Sequence, residues 1–198
     1  MKKILFIGSI MLSLYIAACN NDSSKEDSST KANTDTAVNS NINKVEANDT
    51  DSKLAASIKT VVDHYLHIKN ALVKDDGSDA ASGGRQMAAV MEKIDTALFT
   101  AEQKRIYKDI ADDLKEHAEH IAKNGNNIKH QREHFSMMSE DVYDLVKSFG
   151  AGQALYKDHC PMYDEGKGAI WLSEVKEIRN PYYGSEMPKC GSVKEELK

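Results

Sequence analysis

The sequence predicts a mainly α fold, an antiparallel up-down four-helix bundle, followed by a C-terminal loop-rich or short β-hairpin segment that binds metal. Three observations predict it. Four stretches between Lys53 and Phe149 carry apolar residues at spacings of three and four, the period of one helix face. Short turn signals separate these stretches, so consecutive helices fold back on one another. From residue 151 the period is lost, and residues 151–198 hold all three prolines, the only tryptophan and two of the three cysteines.

The first helix follows Leu54, Ile58, Val61, Tyr65, Ile68 and Leu72 and ends at Asp75-Asp76-Gly77. The second follows Met87, Met91, Ile94 and Leu98, flanked by Ala80, Ala81 and Ala88. Gly83-Gly84 weakens its start and predicts that the helix begins or kinks there. Thr100 reads as the N-cap of the third helix, with Gln103 completing a capping box. Its stripe is Ile106, Ile110, Leu114, His117 and Ile121, and it ends near Asn124-Gly125. The fourth stripe is Ile128, Gln131, Phe135, Met138, Val142, Leu145 and Phe149, ending at Gly150. Methionines on these stripes read as core filler.

A chain of 198 residues fits one folded domain. With 40% apolar and 29% charged residues it is neither membrane-embedded nor wholly disordered. A formal charge of −5 argues against a nucleic-acid partner. No phosphate loop, zinc-protease motif or Ser/His/Asp order is present, so the expectation is a non-enzyme without an organic cofactor.

The N-terminus predicts export. Lys2 and Lys3 precede an uncharged run from Ile4 to Ala18, too short for a membrane span and suited to a signal peptide over residues 1–18. Its end, Ile16-Ala17-Ala18-Cys19, resembles the lipobox of bacterial lipoproteins, which makes Cys19 the lipidated residue. The expected location is the bacterial cell envelope, lipid-anchored and facing the periplasm or outer surface. Residues 19–52 are rich in Asn, Ser, Asp and Thr without an aromatic residue, and read as a disordered tether. Its ends would lie about 30 Å apart. The folded part is then residues 53–198.

Histidines fall in pairs: His64 and His67, His117 and His120, His130 and His134. Spacings of three and four put both rings of a pair on one helix face. His64, His67, His120 and His130 lie off the apolar stripes and read as solvated, and His117 reads as a hydrogen-bonded core residue. A histidine site joining the third and fourth helices through their short turn stays open.

Two C-terminal motifs each pair a thiol with a thioether beside a proline: His159-Cys160-Pro161-Met162 and Met187-Pro188-Lys189-Cys190-Gly191. Asn180-Pro181-Tyr182-Tyr183-Gly184 reads as a turn returning the chain towards Cys160, and Ala169-Ile170-Trp171-Leu172 as a short strand. Trp171, Tyr182 and Tyr183 read as packing residues. Brought together, the motifs supply Cys160, Met162, Met187 and Cys190, with His159 as a further donor. Thiolate and thioether are soft ligands that select copper(I) or silver(I). The other reading is a Cys160–Cys190 disulfide, because the export compartment is oxidising and Cys19 is already spent on lipid.

The chain also resembles a bacterial lipoprotein family built on a domain of unknown function. The resemblance rests on Leu155-Tyr156 through His159-Cys160-Pro161-Met162, Gly166-Lys167-Gly168-Ala169-Ile170-Trp171-Leu172-Ser173, and Glu177-Ile178-Arg179-Asn180-Pro181-Tyr182-Tyr183-Gly184 to Met187 and Cys190-Gly191. Gln131-Arg132, Phe135 and Ser139 match as well. A similar domain is appended to periplasmic adaptor (membrane fusion) proteins of copper and silver efflux pumps. The resemblance therefore implies copper handling through Cys160, Met162, Met187 and Cys190, with a copper efflux or assembly protein as partner and the membrane reached through the lipid.

Overall fold

The first apolar stripe forms α1, Ile42–Val73. Ile58, Val61, Tyr65, Ile68 and Leu72 are fully buried, as their spacing predicts. The structure is a computed structural model and describes the backbone of residues 42–198 and the side chains from residue 52 onward. The predicted signal peptide and Cys19 lie outside the described residues. Among the described residues, no helix is long and apolar enough to cross a membrane.

The start of α1 differs from expectation, because it falls inside the span 19–52 read as tether. Residues 42–52 contain no Gly or Pro. Once the packed turns from Leu54 onward have nucleated the helix, extending it costs little.

Asp76 caps α2 (Gly77–Met91), its side chain accepting from Asp79 N at 2.9 Å. The helix runs straight through Gly83-Gly84. A Cβ on Gly83 would lie 2.8 Å from Ile68 Cγ1, and one on Gly84 2.6 Å from the Ala118 carbonyl oxygen. The two glycines therefore let α2 press between α1 and the third helix. Each forgoes about 1 kcal/mol of helix propensity, which the close packing offsets.

The predicted capping box opens α3 (Ala101–Lys123): Gln103 N donates to Thr100 Oγ1, and Thr100 N donates to Gln103 Oε1. Its buried face is Tyr107, Ile110, Leu114, Ala118 and Ile121. Ile106 and His117, expected on that face, are half-buried. The face turns by one residue because Tyr107 packs edge-on against Phe99 and Phe149, and because small Ala118 lies against Gly84. The fourth helix, α4 (Ile128–Phe149), buries the predicted Gln131, Phe135, Met138, Val142 and Leu145. α1 packs on α2, α2 on α3, α3 on α4, and α4 back on α1.

After α4 the chain forms a three-stranded antiparallel sheet of β1 (Leu155–Cys160), β2 (Ala169–Ser173) and β3 (Ser192–Leu197), in the order β2-β1-β3. A short turn, α5 (Tyr163–Gly166), joins β1 to β2. The sequence predicts a loop-rich or short β-hairpin segment, in which only β2 is marked by its residues. β1 carries adjacent charges at Lys157 and Asp158 and β3 at Lys194, Glu195 and Glu196, so neither shows an alternating apolar pattern of its own. β1 forms against the edge of β2, which is buried along most of its length, and β3 then pairs with the other edge of β1.

Two polar junctions fasten this sheet to the helices. Leu172 N donates to the Tyr65 hydroxyl at 2.9 Å; that hydroxyl meets Ser139 Oγ at 2.8 Å, and Ser139 donates to the Phe135 carbonyl. Arg132 donates to the carbonyls of Pro181 and Leu72 and to Asp75, which also accepts from Ser185 N. Trp171 and Tyr182 are buried between sheet and helices, with Tyr182 5.9 Å from both the Trp171 and Phe135 rings.

Candidate metal centre

Cys160 is the last residue of β1 and is fully buried. Cys190 lies two residues before β3, whose Ser192 pairs with His159. Antiparallel pairing thus returns the second motif to the end of the first. Gly191, at φ +142, makes the final approach: a Cβ there would lie 2.7 Å from the Trp171 ring and 3.0 Å from the His159 carbonyl oxygen. With no side chain in the way, the backbone turns tightly and Cys190 Sγ comes to 3.0 Å from Cys160 Sγ. Both cysteines are free thiols.

Asn180, fully buried, holds the loop that carries Cys190. Its side-chain amide donates to the Cys190 carbonyl at 2.7 Å and its backbone N–H donates to the Pro188 carbonyl at 2.9 Å. Its side-chain oxygen accepts from the N–H groups of Tyr182 and Tyr183. The Tyr183 hydroxyl in turn donates to the Met162 carbonyl at 3.0 Å. One asparagine and one tyrosine therefore tie both sulfur motifs to the same turn. The sequence marks that turn but does not assign Asn180 its role, since the partners are backbone groups far along the chain.

Cys160 and Cys190 meet. Met162 stands 54% exposed just past β1, and Met187 is half-buried in the tight turn closed by Cys190 N donating to its carbonyl at 3.2 Å. His159 does not join the thiols. Neighbouring strand residues point to opposite faces, and its ring lies against Gly168. Among the described residues, the group of three His, Cys, Asp or Glu side chains that could share an ion does not include it.

Cys160 beside it, together with partial burial, pushes the Cys190 thiol up to about 11. The pair thus holds a proton at neutral pH that a metal would have to displace. An open cleft of about 630 Å³ adjoins the motif, lined by Arg132, Glu133, Tyr163, Tyr182 and Tyr183 among others.

His120 and His130, expected to be solvated, are instead half-buried in contact with His134, and His117 touches the same group. His67 pairs with Asp79 at 2.8 Å.

No curated protein and no solved structure matches the chain. Residues 61–154 match the family described as "Protein of unknown function (DUF3347)". The match ends just before β1, so the cysteine and methionine motifs lie beyond it, whereas the four clustered histidines lie within it. It supports placing the helical stretch from Val61 to Ala154 in this family of unknown function.

Proposed function

We propose that this protein is a lipid-anchored, periplasm-facing protein that binds copper(I) or silver(I) at Cys160 and Cys190, with Met162 and Met187 as thioether donors, and takes part in copper handling or efflux. The observation that carries the reading is the meeting of two free thiols at 3.0 Å from positions 30 residues apart, each beside a methionine. Two soft sulfurs on a fixed frame suit a monovalent soft cation, which accepts few ligands and favours sulfur over oxygen. The cation is cargo in this reading. Buried Cys160 anchors it, while Cys190 and exposed Met162 face the side from which a partner's sulfur could replace them one at a time. The scaffold is an up-down four-helix bundle, which the ring of contacts from α1 through α4 and back supports.

The test is a titration of the reduced full chain in detergent with copper(I) against a competing chelator. One equivalent bound, and lost in Cys160→Ser with Cys190→Ser, is the expected result. Absence of stoichiometric binding, or binding unchanged in that variant, refutes it. The same proximity of sulfurs also favours a second reading, a scaffold closed by a Cys160–Cys190 disulfide that docks an envelope partner. Counting thiols on protein taken directly from cells separates the two: a pair of free thiols contradicts the disulfide scaffold.

A further inference from the structure

Four histidines from two helices converge at the turn between α3 and α4. His117 and His120 lie three apart on α3, and His130 and His134 four apart on α4, so each pair faces the other across the helix seam. His120 Nδ1 is 3.4 Å from His130 Nε2, and His117 Nδ1 is 3.1 Å from His134 Nδ1. One ligand nitrogen each from His120, His130 and His134 lie within 4.8 Å of one another. Nitrogens bound tetrahedrally to one ion at 2.0–2.1 Å would stand about 3.3 Å apart, close to these separations.

The outward nitrogens carry further information. His120 Nε2 faces Glu116 at 3.7 Å, His130 Nδ1 faces Glu133 at 3.3 Å, and His117 Nε2 faces Asp141 at 3.9 Å. Three rings thus turn one nitrogen inward to the cluster and the other outward to a carboxylate. Of the three, His130 is within hydrogen-bond distance of its carboxylate, and there Glu133 fixes the tautomer and raises the basicity of the inward nitrogen, as around protein-bound metal. Neutral rings are also what a metal needs. Burial first, and then the neighbouring histidines, hold His134 down to about 4. Burial lowers His117 as well.

We infer that His120, His130 and His134, joined by His117, form a second metal site for a divalent cation of the zinc or copper(II) class. An all-imidazole donor set with no sulfur suits such borderline ions rather than copper(I). The inference does not rest on the sulfur site: it uses other residues, another part of the fold and another class of ion.

The test uses cobalt(II) and zinc on the full chain in detergent, both with native cysteines and as Cys160→Ser with Cys190→Ser. Cobalt absorption distinguishes nitrogen from thiolate ligands. The expected result is one equivalent bound with a nitrogen-only spectrum in both backgrounds, displaced by zinc, and at least a tenfold loss of affinity in His134→Ala and in His130→Asn. Position 130 lies at the solvent side, so His130→Asn decides the matter should His134→Ala fail to fold by circular dichroism. Absence of stoichiometric binding, affinity unchanged in His130→Asn, or a thiolate spectrum that vanishes with the cysteines overturns the inference. Failure here leaves copper(I) binding at the thiols untouched, and the reverse holds as well.

Discussion

Asn180 carries more of the thiol loop than any sulfur residue does. Replacing it with Ala strands the N–H groups of Tyr182 and Tyr183 and the Cys190 carbonyl without their partners. Unsatisfied buried groups cost about 1–3 kcal/mol each, so Asn180→Ala should lose roughly 2–4 kcal/mol in denaturant unfolding and weaken the proposed copper(I) binding with it. A loss under about 1 kcal/mol would contradict this role. Asp158 is a different case. It is fully buried on β1, its carboxylate has no hydrogen-bond partner, and burial pushes it up to about 7. Lys69 nearby opposes this rise, but its charge is already engaged by Glu174 at 2.7 Å. Because the folded form holds this proton more tightly than the unfolded one, the contribution of Asp158 to stability is greatest in acid and falls as the pH climbs from about 4 through about 7. Asp158→Asn should flatten that slope. At pH 8 the variant should be more stable than the parent, by at most on the order of 4 kcal/mol, and at pH 5 by at most about 1.5 kcal/mol. Thermal melts at the two pH values check this, and parallel curves for parent and variant would count against it.

Among the elements, α2 shows how a local rule and a packing demand compete. Gly84→Ala ought to stabilise an exposed helix by about 1 kcal/mol. Here the added methyl would stand 2.6 Å from the Ala118 carbonyl oxygen and 2.9 Å from Ala122 N, both backbone atoms of α3. Separating the two helices to admit it should cost a net 1–3 kcal/mol, in the range of core overpacking, measured as a lower unfolding midpoint. A neutral or stabilising result would show that α2 and α3 do not press together there. The capping box of α3 and the stripes of α1 and α4 were legible in the chain, because caps and periodicity are local properties. The rotation of the α3 face was not, because it depends on Phe99 and Phe149 reaching Tyr107 from other elements.

For the whole molecule, Arg132 is the rivet between helices and sheet. Its guanidinium serves the end of α1, the turn at Asp75 and the loop at Pro181 together. A lysine carries the same charge but not the planar fork that reaches several acceptors. Arg132→Lys should lose about 2–4 kcal/mol and speed hydrogen exchange at residues 182–185 more than in α3. Uniform exchange across the molecule would refute this local account. The C-terminal segment has little core of its own, so its order depends on this junction and on the Tyr65–Ser139–Leu172 link.

The sequence by itself determined the stripes of α1 and α4, the capping box of α3, and the two sulfur motifs with the turn between them. Each of these is written in residues near one another along the chain. The second stripe, read through Ile94 and Leu98, stops at Met91, where α2 ends. The tertiary structure alone decided three things. It set Cys160 beside Cys190 and turned His159 away, because strand alternation and the Gly191 turn fix side-chain direction. It built β1 and β3 from weak local signals, because β1 pairs with the buried β2 and β3 with β1, and that pairing supplies what propensity lacks. And it gathered His120 and His130, which read as solvated, with His117 and His134 into a cluster of four, because ring contacts across two helices depend on how their faces meet.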